Sequence, residues 1–217
     1  MSNSHSFARR APLIFSFSVM IALLCGCSFP RIIILNDPLS AEEHDKLGRI
    51  YESQGKFDLA AQQYEAAIKQ DPKSVSSYLL LGDLSYRTKN YAAAESSYRK
   101  AIKLQPDNGD LYNNLSWVYL VQNREIEETE ALVKKALTLT PAHRAYYLDT
   151  LGVVLLRLGR IAESIGALKE AIELLPKENA ANMAEAYGHL AEAYRTAGDE
   201  AGALEAEKSA EKYRNQK

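Results

Sequence analysis

The chain has 217 residues, of which 25% are charged and 47% hydrophobic, and its formal net charge is −2. These values are typical of a water-soluble globular protein, and the length allows one buried domain or a short array of smaller units. Because no long run of lysine or arginine occurs, the sequence lacks the basic footprint of a nucleic-acid-binding protein.

The first 26 residues differ in composition from the rest of the chain. Arg9 and Arg10 precede an apolar stretch over residues 11–24, and this segment contains no acidic residue. The stretch is shorter than the roughly 20 residues that a membrane-spanning helix needs. We therefore interpret residues 1–26 as an export signal peptide. An uncleaved membrane anchor and a secretory signal without lipidation are the alternatives.

The end of this segment resembles the lipobox of bacterial lipoproteins. Cys27 fits as the modified cysteine because Leu24 stands three residues before it and Gly26 directly before it. Cys25 fits less well because bulky Leu24 directly precedes it. The resemblance implies lipidation of Cys27, with cleavage before it, and Ser28 at the next position favours the outer membrane, facing the periplasm. A Cys-x-Cys metal or redox pair is a further alternative, but no cluster of additional ligands accompanies it.

Residues 27–40 are interpreted as a tether between the lipidated cysteine and the rest of the chain. The segment from Ile32 to Leu35 is apolar, whereas tethers are usually polar. It can dock as an extended strand, lie near the membrane surface, or cap the open face of the first helical unit.

The remaining chain repeats itself. Four segments carry an Ala-Ile or Ala-Leu pair followed by a proline, and the successive prolines are 34, 35 and 35 residues apart: Pro72, Pro106, Pro141 and Pro176. Each proline prevents a helix from continuing. A fixed period of this length indicates a tandem array of helical hairpins.

The first unit, residues 41–74, shows the pattern of one hairpin. Ser40 and Glu43 form a Ser-x-x-Glu capping box at its start. Gly55 separates two amphipathic helices, and the small residues Gly48 and Ala60 are predicted where these helices cross most closely. Four further units follow, with residue 144 and residues 179–183 as spacers: 75–108, 109–143, 145–178 and 184–217.

The last helix is predicted to end the array. Glu207 and Glu211 occupy positions that are apolar in earlier units. A terminal repeat needs such a polar outer face because nothing stacks on it.

With five units of this kind, the chain resembles tetratricopeptide-repeat proteins from residue 41 to its end. The resemblance implies an all-α, right-handed superhelical solenoid whose first helices line a concave groove, the usual ligand surface of the family. The groove-facing positions of units two to four are predicted to bind a partner, and they include the only tryptophan: Asp83, Tyr86, Arg87, Asn113, Trp117, Leu120, Val121, Tyr146, Asp149, Val153, Leu156 and Arg157.

The middle of the predicted groove is apolar and aromatic, and its two ends are charged, which is typical of a surface that contacts a protein or an extended peptide. Alternatively, Trp117, Leu120 and Val153 pack between adjacent first helices. Asp45 and Asp110 occupy places where some family members bind the C-terminal carboxylate of a partner, and their negative charge argues against that mode here.

Nothing in the sequence indicates an enzyme, a cofactor or a small-molecule substrate. His44, His143 and His189 are scattered without metal-ligand spacing, and no phosphate-binding glycine loop occurs. We therefore predict a lipid-anchored scaffold of the Gram-negative envelope, similar to pilotins or to adaptors that bring hydrolases to peptidoglycan. The alternative is a non-catalytic accessory subunit of a periplasmic peptidase or a polysaccharide export machinery.

Overall fold

The computed structural model describes residues 37–216. The predicted signal peptide, Cys27 and the apolar segment from Ile32 to Leu35 lie outside these residues. Within 37–216 the chain forms ten α-helices, one short 3₁₀ helix (Pro141–His143) and no strand. The α-helices are α1 (Ala41–Ser53), α2 (Phe57–Gln70), α3 (Val75–Arg87), α4 (Tyr91–Leu104), α5 (Gly109–Gln122), α6 (Ile126–Leu139), α7 (Arg144–Arg157), α8 (Ile161–Leu174), α9 (Ala180–Thr196) and α10 (Glu200–Arg214).

The predicted capping box at the start of α1 is confirmed. The backbone N–H of Ser40 donates to the Glu43 carboxylate at 2.8 Å, and the backbone N–H of Glu43 donates to Ser40 Oγ at 3.3 Å. These two bonds satisfy N–H groups that have no partner within the helix, so the box defines where α1 begins.

Tight turns join the two helices of each hairpin. Gly55, Gly159 and Gly198 have φ angles of 70°, 73° and 79°, which glycine adopts without steric cost. Lys89 takes the equivalent conformation in the second hairpin, with φ of 62°. Such turns reverse the chain within a few residues, so the paired helices pack side by side.

The fifth hairpin begins earlier than its sequence pattern predicts. Helix α9 starts at Ala180, so residues 180–183 of the predicted spacer belong to the following helix, as residue 144 does in α7. Asn179 caps α9 by accepting from the backbone N–H of Asn182 at 3.3 Å. Met183 is fully buried in the core around α9, which explains why the helix extends over it.

In three hairpins, a glycine in the first helix leaves room for a large side chain from the second helix of the same hairpin. A Cβ atom at Gly48 would lie only 2.3 Å from the ring of Tyr64, and one at Gly152 only 2.4 Å from Cγ of Leu168. Ala60 is also fully buried. The close approach that the sequence predicted at Gly48 therefore exists, and the group that requires it is the Tyr64 ring.

Successive hairpins stack on one another through four hydrophobic clusters, each of which joins neighbouring units. The result is a right-handed superhelical solenoid of five units, as predicted. Helices α1, α3, α5, α7 and α9 line its inner surface. None of the helices in the described part of the chain is long and apolar enough to cross a membrane.

Candidate functional site on the inner surface

A pocket of about 680 Å³ lies on the inner surface of the first three units. Helices α1, α3 and α5 supply most of its walls, and Tyr98 reaches it from α4. Its lining mixes aromatic, charged and apolar side chains: Arg49, Glu52, Ser53, Leu80, Asp83, Tyr86, Arg87, Tyr98, Asn114 and Trp117. This combination suits a ligand that offers both an apolar group and hydrogen-bonding groups.

Glu52 organises one wall of the larger pocket. Its carboxylate accepts a hydrogen bond from the hydroxyl of Tyr64 at 2.7 Å and forms a salt bridge with Arg87 of the next unit. The guanidinium of Arg87 also lies 5.5 Å from the centre of the Phe57 ring, within cation–π range. These contacts hold the Arg87 side chain in place at the pocket.

Asp83 forms a second polar centre in the same pocket. Its Oδ1 accepts from the Tyr98 hydroxyl at 2.7 Å and from Asn114 Nδ2 at 3.4 Å. Burial raises the pKa of Asp83, although the hydrogen bond from Tyr98 acts in the opposite direction. Arg49 also lines the pocket, and its positive charge opposes the rise in the pKa of Asp45 and Asp83, although its guanidinium forms no salt bridge with any of residues 37–216.

Trp117 separates this pocket from a smaller one of about 140 Å³ between α5, α7 and α9. Its ring lies 5.8 Å from that of His189, at an interplanar angle of 30°. His189 Nδ1 lies 3.0 and 3.1 Å from the two carboxylate oxygens of Asp149. Three successive first helices thus contribute to one cluster.

The electrostatic environment of His189 favours its charged form. Burial by itself lowers the pKa of this imidazole, but the hydrogen bond and charge of Asp149, together with the charges of Glu185 and Glu192, raise it above the ordinary value. We therefore expect His189 and Asp149 to form an ion pair at mildly acidic pH.

Seven of the predicted groove residues line at least one of the two pockets. Asp83, Tyr86 and Arg87 line the larger pocket, and Trp117 lines both. The other three line the smaller pocket: Asn113, Tyr146 and Asp149.

The prediction that Leu120, Val153 and Leu156 present an apolar surface in the groove is wrong. These side chains are 5%, 6% and 8% exposed and belong to the clusters that join units three to five. For Leu120 and Val153 the structure agrees with the alternative, packing between adjacent helices. Val121 (44% exposed) and Arg157, which pairs with Glu192 at 3.5 Å, line neither pocket.

The sequence prediction omitted several pocket residues. Arg49 and Glu52 occupy the same repeat positions in unit one as Asp83 and Tyr86 do in unit two, so the repeat frame already marked them. A charged set of this kind resembles an ordinary solvated surface, so its sequence does not single it out as a site. Leu80 and Asn114 lie one position after a groove-facing place, which no periodic rule singles out.

Among residues 37–216, no group of three or more histidine, cysteine, aspartate or glutamate side chains is arranged to hold a metal ion. The arrangement of aromatic rings, salt bridges and uncharged polar groups is suited to binding.

Comparison with known proteins identifies the repeat. A family model described as tetratricopeptide repeat matches residues 46–109 and 150–216, and another of the same description matches residues 97–131. The chain is 26% identical over 92 residues to tetratricopeptide repeat-containing protein trd-1 of Caenorhabditis elegans, and 30% identical over 83 residues to protein O-mannosyl-transferase TMTC1 of Mus musculus. These segments cover 42% and 38% of this chain but only 12% and 9% of those two proteins.

Solved structures share the fold over most of the chain. PilW, a widely conserved type IV pilus biogenesis factor, superposes with a TM-score of 0.72 at 21% identity, covering 80% of this chain and 77% of its own. PilF of Pseudomonas aeruginosa superposes with a TM-score of 0.66 at 21% identity, covering 82% and 78%. The TM-scores show a common fold, and because the identities are only 21% the likeness shows the fold alone.

Proposed function

Because the chain belongs to the tetratricopeptide-repeat family, we propose that it is a scaffold that binds a segment of a partner protein along the inner surface of its superhelix. Proteins built from this repeat are generally non-catalytic and suited to protein–protein interaction. The observation that carries the proposal is the larger pocket, which half-buried Tyr86 and Trp117 line together with Arg49. Aromatic and arginine side chains in a concave site are the usual anchors of protein interfaces.

The proposal places this scaffold in the cell envelope, attached to the outer membrane by acyl chains on Cys27. The lipobox-like sequence before Cys27 supports lipidation of that cysteine. Several acyl chains on one residue would then bind a membrane stably. The resemblance to small tetratricopeptide lipoproteins of the envelope favours an assembly role similar to that of a pilotin or a hydrolase adaptor. The fold shared with the pilus biogenesis factor PilW is compatible with the pilotin-like role.

Site-specific crosslinking in cells tests the groove. A photoreactive amino acid at position 117 faces both pockets, whereas the same group at the exposed position of Lys100, on α4, lies outside them. We expect crosslinks to a defined protein from position 117 and none to that protein from position 100, with mass spectrometry identifying the bound segment. Equal crosslinking from both positions, or capture of the same partners by a Trp117→Ala variant, would contradict groove binding.

Metabolic labelling tests the anchor separately. We expect palmitate to label the wild-type protein and a Cys25→Ser variant, but not a Cys27→Ser variant, because Cys27 fits the lipobox better than Cys25 does. Unchanged labelling of Cys27→Ser would exclude this anchor and would leave the groove proposal to its own test.

A further inference from the structure

The smaller pocket has the size and the charge of a site for one basic side chain. Its volume of about 140 Å³ is below the roughly 300–1,000 Å³ of pockets that hold drug-sized ligands. Two carboxylates line it, Asp149 from α7 and Glu185 from α9, and no lysine or arginine of the described residues does. The nearest positive group is His189, which contacts both oxygens of Asp149.

Two hydrogen-bond acceptors in this pocket, the amide oxygen of Asn113 and the carboxylate of Glu185, have no donor among residues 37–216. Oδ1 of Asn113 is buried and has no partner, and the amide forms no hydrogen bond with any of residues 37–216. The carboxylate of Glu185 forms neither a salt bridge nor a hydrogen bond with the described part of the chain, although its charge is close enough to influence His189 and Tyr86. Because buried polar groups in folded proteins are nearly always paired, the oxygen of Asn113 is a position that a water molecule or a donor group of a ligand fills.

Aromatic rings complete the pocket. Trp117 and Tyr146 line it, and both are half-buried against the hydrophobic cluster that joins units three and four. A lysine ammonium or an arginine guanidinium close to the face of such a ring gains cation–π attraction, and tryptophan is the best partner for it. The long aliphatic part of these side chains also packs against apolar walls.

From these observations we infer that the smaller pocket receives a lysine or arginine side chain of the segment bound in the groove. The cation pairs with Glu185, the carboxylate that no described residue already pairs, and donates to Oδ1 of Asn113 beside the ring of Trp117, while Asp149 stays paired with His189. This inference rests on the proposed function and adds the chemical class of one ligand residue to it.

Peptides selected on the protein provide the test. A random peptide library displayed on phage is selected on the full chain, purified in detergent, and the affinities of synthetic copies of the recovered peptides are measured by fluorescence anisotropy. Glu185→Gln removes the charge at nearly constant shape. Glu173→Gln is the matched control, because Glu173 is an exposed residue of α8 that lines neither pocket.

We expect the recovered peptides to share a basic residue at one position. Replacing it with glutamine is expected to raise Kd about tenfold on the wild-type protein and on Glu173→Gln, but less than about twofold on Glu185→Gln, because the paired charge is then already absent. Peptides that require Trp117 yet show no basic preference, or no coupling to Glu185, overturn the inference and leave groove binding intact. If no peptide depends on Trp117, both groove binding and the basic pocket are wrong.

Discussion

Replacing Gly152 and Gly166 with alanine is expected to change stability in opposite directions, although both glycines lie within helices of the fourth hairpin. A Cβ atom at Gly166, on α8, would meet nothing within 4 Å. Alanine is favoured over glycine inside a helix by about 0.5–1 kcal/mol. We therefore expect Gly166→Ala to raise the free energy of unfolding by about that amount.

Gly152→Ala gains the same helix propensity but meets a buried side chain. Its Cβ would lie 2.4 Å from Cγ of Leu168 and 2.7 Å from Cδ2. Because Leu168 is fully buried and Cγ is its branch point, the whole side chain or the helix must shift. Overpacking costs about 1–3 kcal/mol, so after the propensity gain we expect a net loss of about 1–2 kcal/mol.

A double variant tests whether contact with Leu168 causes the loss of stability in Gly152→Ala. Leu168→Ala alone costs about 2–5 kcal/mol because it leaves a cavity. A methyl group at position 152 fills part of that cavity, so Gly152→Ala combined with Leu168→Ala is expected to be at least about 1 kcal/mol more stable than the sum of the single effects predicts.

Urea unfolding followed by circular dichroism gives the free energy of unfolding of all four variants. The values are comparable when the slope of this free energy against urea concentration is the same for each variant. If Gly152→Ala unfolds at the same urea concentration as Gly166→Ala, or if the two effects at positions 152 and 168 are additive, the close approach of α7 and α8 does not limit this position.

Three further predictions concern the cap, the first hairpin and the histidine. Ser40→Ala is expected to lower the free energy of unfolding by about 1 kcal/mol in urea titrations, because it removes the side-chain acceptor of the capping box; an unchanged midpoint would contradict this. Ala60→Leu is expected to cost about 1–3 kcal/mol by overpacking, while the same change at exposed Ala92 costs little, and equal thermal melts would refute the difference. Because the pKa of His189 lies above its ordinary value of about 6.5, the stabilisation from its pair with Asp149 is complete below that pH and is lost as pH rises through the folded-state pKa. The stability difference between wild type and Asp149→Asn is thus expected to shrink with increasing pH in urea titrations, and a constant or growing difference would show that the charged pair does not form.

Local sequence features were sufficient to predict the helical hairpins and their order. Proline stops a helix, glycine permits a positive φ, and Ser40 with Glu43 satisfies the first N–H groups of α1, and each of these effects acts within a few residues. Two helices begin earlier than the repeat pattern predicts, at residue 144 and at residue 180, and at the second of these the burial of Met183 stabilises the added turn.

The binding surface depended on contacts that no periodicity encodes. The repeat frame predicts both Leu120 and Trp117 on the inner side of α5, but how neighbouring helices cover that side decides that Leu120 is buried while Trp117 lines two pockets. The cluster of Trp117, Asp149 and His189 likewise joins side chains from three hairpins. The sequence by itself determined the repeating unit, because helix signals are local. The tertiary structure alone decided which groups of that unit a partner can reach, because exposure and pairing depend on how the units stack.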